Sequence, residues 1–247
     1  MTTDRRPSIE TRQIVIHPGF ARLRGGLIVS CQARPDNPLH GPAFMAAMAR
    51  AAEDGGAVGV RINGPNDIKT TRAATSLPVV GLFKHAYGDS AVTITPTFGE
   101  ASAVAAAGAA IVAIDATRRR RPDGVPLAAL IARIREELGL PVLADIADLG
   151  DALAAEDAGA SAVATTLSGY LDPAIPPPEE PDLDLIALLA GRLRVPVIAE
   201  GRITTPAQAR EALDRGAFAV VVGTAITNPR EITRRFVEAL APVDPSP

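Results

Sequence analysis

The sequence predicts a single (β/α)8 barrel, and three observations carry that prediction. Eight continuous apolar runs alternate with helix-like segments along 247 residues, a length typical of one such barrel. Strands that are apolar throughout, rather than at every second position, belong to a parallel sheet covered by helices. The last two runs end in glycine turns, Ala199-Glu200-Gly201 and Val222-Gly223-Thr224. In barrels of this kind the turns after strands seven and eight hold phosphate with backbone N–H groups. A doubly wound open sheet is the main alternative. The count of eight, and the lack of a Gly-x-Gly-x-x-Gly after the first run, favour the barrel.

The elements follow in order. Residues 1–20 lack sustained apolar periodicity and read as a flexible tail leading into a short cover over one barrel end. Leu27–Cys31 is the first strand, followed by Gln32 and a proline-rich loop through Pro42. Phe44–Asp54, rich in Ala with Met45 and Met48, reads as a helix stopped at Gly55-Gly56. Strand two is Ala57–Arg61; Asn63-Gly64 turns the chain into a helix over Asp67–Thr75. Strand three is Leu77–Phe83, ending on Lys84. Val92–Thr95 has strand character but follows too closely to be a separate unit, so it reads as a loop insertion. Helix Phe98–Ala107 and strand Ala110–Asp115 come next, then a basic loop to Asp123 and an amphipathic helix over Leu127–Leu138. Pro141–Asp145 is strand five, Leu149–Ala158 its helix, and Ser161–Thr165 strand six. The long loop over 167–181 is proline-rich, which in a compact domain usually marks a lid or binding loop. Asp182 caps a helix over Leu183–Arg192, and strands seven and eight follow with one helix between them. A final helix over Pro229–Leu240 precedes a frayed end at 242–247. The chain reads as one domain over 1–247.

Composition narrows the function classes. The chain is 47% apolar but only 3% aromatic, with no Trp, so its core is built from Ala, Val, Ile and Leu. A formal charge of −3 gives no basis for a nucleic acid or anionic membrane partner. The lone Cys31 rules out an internal disulfide framework and fits a reducing compartment. The polar N-terminus lacks the apolar core of a signal peptide, and no apolar run is long enough to span a bilayer. These features predict a soluble cytoplasmic protein. One Cys and three scattered His leave no credible zinc site.

In a barrel, all strand C-termini share one face. The residues there are Gln32, Arg61, Lys84, Asp115, Asp145, Thr165-Thr166, Glu200-Gly201-Arg202 and Gly223-Thr224. A charged group closing an apolar strand is costly unless it meets a polar cavity, and barrel active sites are assembled from several strand ends. Lys84 and Glu200 each follow directly on an apolar run. Partial loss of water there lowers a lysine pKa and raises a carboxylate pKa, bringing both toward neutrality; a plain Lys84–Glu200 salt bridge is the competing reading. Asp115 and Asp145 suit orienting a base or holding hydroxyls. Arg61 suits bidentate binding of a carbonyl-bearing or phosphate group, against an ion pair to a barrel Asp. The two glycine turns suit a phosphate held at Gly201, Arg202, Gly223 and Thr224. The run Arg118–Arg121 has no interleaved aromatics and reads as a solvated loop at the mouth.

With these residues identified, the sequence resembles the N-acetylmannosamine-6-phosphate 2-epimerase family. The matching segments are Gly-Gly-Leu-Ile-Val-Ser-Cys-Gln-Ala (25–33), Gly-Gly-Ala-Val-Gly-Val-Arg-Ile-Asn-Gly (55–64), Gly-Leu-Phe-Lys (81–84) and Ile-Thr-Pro-Thr (94–97). Asp-Ala-Thr (115–117), Arg-Pro-Asp-Gly (121–124), Ala-Asp-Ile (144–146) and Thr-Thr-Leu-Ser-Gly-Tyr (165–170) follow. The last are Val-Ile-Ala-Glu-Gly-Arg-Ile (197–203) and Val-Val-Val-Gly-Thr-Ala-Ile-Thr (220–227). The resemblance implies interconversion of N-acetylmannosamine 6-phosphate and N-acetylglucosamine 6-phosphate, in sialic acid or amino sugar catabolism, with no cofactor or metal. It implies Lys84 and Glu200 as the acid/base pair, sugar contacts from Gln32, Arg61 and Asp145, and phosphate at Gly201, Arg202, Gly223 and Thr224. The loop after Tyr170, His85 and the Arg118–Arg121 run depart from the family pattern. Inversion at C2 removes a proton beside a C1 carbonyl and returns one on the opposite face, which two opposed acid/base groups accomplish. Arg61 is the candidate donor to the oxyanion at O1. The alternatives are a Schiff-base sugar-phosphate aldolase using Lys84 and a non-catalytic sugar-phosphate-binding barrel. A homodimer is compatible with the sequence.

Overall fold

A computed structural model describes residues 13–88, 90–172, 174–176 and 178–241. Its eight strands are β1 (Leu27–Cys31), β2 (Gly59–Asn63), β3 (Val79–Leu82), β4 (Ile111–Asp115), β5 (Val142–Asp145), β6 (Ala162–Ala164), β7 (Val197–Glu200) and β8 (Ala219–Val222). Each pairs in parallel with the next, and β8 returns to β1 through Leu27↔Val220, Ile28↔Val221 and Val29↔Val222, closing the barrel. The predicted (β/α)8 barrel is therefore the observed fold. The helices are α1 (Pro42–Asp54), α2 (Pro65–Ala74), α3 (Phe98–Ala106), α4 (Leu127–Glu137), α5 (Leu149–Asp157), α6 (Leu183–Ala190), α7 (Pro206–Asp214), α8 (Thr224–Thr227) and α9 (Pro229–Leu240).

Two buried layers explain why the strands are apolar at every position. One parity points into the barrel: Ile28, Val80 with Leu82, Ile111 with Ala113, Leu143, Ala162 with Ala164, Ile198, Ala219 and Val221. The other parity meets the helices: Val60, Ile62, Val112, Ile114, Val142 and Val163 pack with Met45, Ile68, Val104, Leu130 and Ile134. Small Ala side chains inside the barrel leave room for Phe20 and Leu23, both fully buried, which a 3-10 helix over Pro18–Leu23 inserts at the strand N-terminal end. The tail expected over 1–20 lies outside the described residues up to position 12, as do residues 242–247.

Two helix starts moved for local reasons, and the Val92–Thr95 insertion is a loop as expected. Helices α1 and α2 begin earlier than expected because Gly41-Pro42 and Gly64-Pro65 place a proline in the first turn, where its missing N–H is harmless. The segment at Val92–Thr95 forms no strand. It makes one antiparallel bridge, Lys84↔Ile94, and wedges between the ends of β3 and β4. There Asp115 N donates to Ile94 O (2.9 Å), and Thr95 Oγ1 donates to Ala113 O (2.6 Å). Helix α8 is four residues long and continues directly from the glycine turn; nothing in Thr-Ala-Ile-Thr distinguishes a short helix from a turn.

Candidate active site

The inward parity of the strands continues past the apolar layer to Gln32, Arg61, Lys84, Asp145, Thr166, Glu200 and Gly223 at the C-terminal end. The same two-residue period that builds the core therefore gathers these groups at one mouth.

Arg61 is the centre of the cluster, 1% exposed. Its Nη1 donates to Asp145 Oδ1 (2.9 Å) and Glu200 Oε2 (2.7 Å), and its Nη2 donates to Asp145 Oδ2 (2.5 Å). Burial opposes the guanidinium charge, but the two carboxylates outweigh it and raise its pKa further. The fork thus meets a barrel Asp rather than standing free, as the ion-pair reading of Arg61 had it. Thr166 Oγ1 donates to Asp145 Oδ1 (2.5 Å). Thr165 Oγ1 bonds both Glu200 O (2.9 Å) and Glu200 N (3.0 Å), pinning that peptide to β6. In the sequence both threonines are strand-end residues with no distinguishing role; their bonding geometry is set only when β6 and β7 pair.

Glu200, with its side chain 12% exposed, has its pKa raised, first by burial and then by Asp145's negative charge; Arg61, Lys84 and the Thr166 hydroxyl oppose the rise. Lys84 has its pKa lowered, first by loss of surrounding water and then by Arg61's positive charge, against the pull of Glu200 and Asp145. Its side chain is open to solvent at the mouth, so this lowering is smaller than a closed site would produce. Asn63 Oδ1 accepts from the Lys84 N–H (2.8 Å) and fixes its peptide. Among the described residues no ion pair joins Lys84 to Glu200 within 4.0 Å, which removes the simple salt-bridge reading. Lys84 and Glu200 stand at the ends of β3 and β7, four strands apart and so on opposite walls.

Asp115 is absorbed elsewhere. It accepts from Thr117 N (2.9 Å), Thr117 Oγ1 (2.7 Å) and Arg119 Nη2 (2.7 Å), which brace the loop after β4. Arg121 is buried and bonds the Pro96 and Asp115 carbonyls. The Arg118–Arg121 run is therefore partly structural rather than wholly solvated. Among the described residues three buried side-chain polar atoms have no hydrogen-bond partner: Gln32 Oε1 and Arg61 Nε in this cluster, and Thr71 Oγ1 on α2. Gln32 Nε2 donates to Ser30 Oγ (2.9 Å), which orients the carboxamide. Burial pushes the Cys31 thiol up to about 12, so it is no base near neutral pH.

The two glycine turns lie side by side after β7 and β8. Gly201 (φ +112°) and Arg202 (φ +58°) are consecutive residues with positive φ, so the chain reverses sharply directly after β7. Gly223 precedes α8, whose first N–H groups lack intrahelical acceptors. A Cβ on Gly223 would lie 3.3 Å from Ser30 Cβ, so a larger side chain there crowds the turn. Among the described residues no cluster of three or more His, Cys, Asp and Glu stands at metal-binding spacing, and no helix is long and apolar enough to cross a membrane.

The fold and these strand-end groups define a (β/α)8 barrel with a cluster of titratable side chains at its strand C-terminal face, beside two glycine turns. The profile of the NanE family, described as "Putative N-acetylmannosamine-6-phosphate epimerase", matches residues 45–242, and the chain belongs to that family. A protein of Caldanaerobacter subterraneus subsp. tengcongensis named "Putative N-acetylmannosamine-6-phosphate 2-epimerase" is 51% identical over 217 residues, covering 87% of this chain and 91% of its own length. A protein of the same name from Cutibacterium acnes is 50% identical over 223 residues, covering 90% and 96%. The solved N-acetylmannosamine-6-phosphate 2-epimerase from Clostridium perfringens superposes with a TM-score of 0.86 at 41% identity, covering 91% of this chain and 97% of its own.

Proposed function

We propose that this chain interconverts N-acetylmannosamine 6-phosphate and N-acetylglucosamine 6-phosphate by moving the proton on C2, in sialic acid and amino sugar catabolism. The observation that carries this reading is the placement of Lys84 and Glu200 on opposite barrel walls, with pKa values displaced toward each other. A group on each side of C2 can take the proton from one face and return one to the other. The enolate oxygen at O1 needs a donor. On Arg61 the donors left for it are the second Nη2 hydrogen and Nε, since Nη1 already serves Asp145 and Glu200. Asp145 holds that guanidinium in place, and Gln32 Oε1 is an acceptor for a sugar hydroxyl or amide. Backbone N–H groups at Gly201, Arg202, Gly223 and Thr224 receive the phosphate. The enzyme works in the cytoplasm, where sugar phosphates are retained.

Turnover of N-acetylmannosamine 6-phosphate in heavy water, followed by NMR, tests the reading. The product is expected to carry deuterium at C2. Product without solvent deuterium would overturn the two-base mechanism, and a borohydride-trapped adduct on Lys84 would replace it with Schiff-base chemistry.

The exposed face of α9 supports a homodimer. None of its residues is buried, and Phe236, Val237 and Leu240 are 67%, 62% and 82% exposed along one stripe. Such a face on the last helix suits a homodimer, in which a two-fold axis sets like against like. Sedimentation velocity is expected to show a dimer that Phe236→Glu dissociates; a wild-type monomer at all concentrations rejects it.

A further inference from the structure

Arg202 is the one non-glycine residue besides Thr95 with a left-handed backbone among the described residues. A side chain at such a position is unfavourable compared with glycine, and the guanidinium shows what it does there. Its Nε donates to Glu180 O (2.7 Å) and its Nη1 to Ser168 O (2.5 Å). These carbonyls belong to opposite stems of the loop over 167–181. The guanidinium also lies over the Tyr170 ring, 5.4 Å from its centroid. Both stems carry further ties. Ser168 Oγ donates to Asp182 Oδ2 (2.6 Å), and Gln208 Nε2 donates to Glu180 Oε2 (2.5 Å). The stems approach so closely that a Cβ on Gly169 (φ +79°) would lie 2.8 Å from Pro178 Cδ. The outer part of the loop holds exposed apolar residues, Tyr170, Leu171 and Ile175.

We propose that Arg202 is a positioning residue: its guanidinium clamps both stems of this loop onto the phosphate turn, so that phosphate in the turn and order in the loop support each other. This rests on the phosphate assignment above. The backbone of Arg202 faces the phosphate while its side chain holds the loop, so one left-handed residue serves both. Fixing its backbone with a bound anion fixes the origin of the fork. A lysine cannot replace the fork, because a single ammonium does not present two donors in fixed planar geometry. Such coupling is reciprocal.

Hydrogen exchange of the loop amides, with and without inorganic phosphate, tests this in wild type, R202G and R202K. Glycine relieves the left-handed backbone, so R202G keeps the turn and removes only the fork. The Tyr170 N–H, bonded to Leu167 O (3.0 Å), and the Ile175 N–H, bonded to Asp172 O (3.2 Å), are the reporters. Both are expected to exchange about ten-fold faster in R202G, the effect of losing charge-assisted hydrogen bonds. R202K should resemble R202G. Phosphate should slow exchange in wild type alone, and phosphate affinity should fall in R202G by the same factor. Wild-type exchange in both variants, or a loop in R202G that still tightens with phosphate, overturns the clamp. If phosphate does not bind wild type, the phosphate assignment fails, and the clamp stands or falls on the phosphate-free comparison. If R202G does not fold, R202K carries the same comparison.

Discussion

Replacing Lys84 by Ala, or Glu200 by Gln, is expected to lower epimerisation by about 10²–10⁴-fold while leaving the barrel folded. The fold is spared for different reasons in the two cases. Lys84 is exposed at the mouth, so its loss opens no buried cavity. Gln at 200 keeps the volume of Glu and can still accept the Arg61 Nη1 hydrogen bond through its carbonyl oxygen. The rate falls because each variant removes one side of the two-sided proton transfer. In wild type the pH profile of kcat/KM should be a bell. Its acid limb lies above the ordinary carboxylate range, because Glu200 is raised, and its alkaline limb below the ordinary lysine range, because Lys84 is lowered. The bell has this shape whichever group acts as base in a given direction, since one must be protonated and the other not. Substantial activity in one variant with loss in the other would make the surviving position an orienting residue and remove it from the proton path.

Asp145→Ala is expected to have the largest effect on stability. Asp145 is fully buried and takes both Nη atoms of Arg61, which is itself 1% exposed. Removing Asp145 takes two hydrogen bonds from the buried guanidinium and leaves it Glu200 as its one carboxylate partner among the described residues, at about 3 kcal/mol. In a domain of this size that lowers Tm by roughly 6–12 °C. Asp145→Asn keeps an acceptor for the fork and should fall between the two. The acid limb of any residual activity should move to lower pH in Asp145→Ala. Asp145's negative charge raises the Glu200 pKa, and without it Arg61 pairs with Glu200 alone. An unchanged melting temperature would mean that the Arg61–Asp145 pair contributes nothing net to the fold.

Several features were legible in the residues themselves. Eight runs apolar at both parities require a sheet buried on both faces, and that requirement is local, so β1 and the order of the remaining elements followed from it. A charged residue directly after such a run had to face a polar space, which singled out Lys84 and Glu200. The glycine turns after β7 and β8 were equally local, because a left-handed residue such as Gly201 is a property of a few consecutive positions.

What the chain order could not settle was which charges meet. Asp115 and Asp145 look alike in sequence, each closing an apolar strand, and they are register partners across β4 and β5. Yet Asp115 is taken by Arg119 from its own loop, whereas Asp145 is taken by Arg61, 84 residues away. Barrel closure sets Arg61, Asp145 and Glu200 within hydrogen-bond reach and, among the described residues, leaves Lys84 without an ion pair. It also brings Arg202 against Ser168 and Glu180, 34 and 22 residues back along the chain. Hydrophobic patterning is read one element at a time, so it determines that a strand is buried and where it stops. Ion pairs and loop clamps depend on distances across the barrel, and only the closed fold sets those.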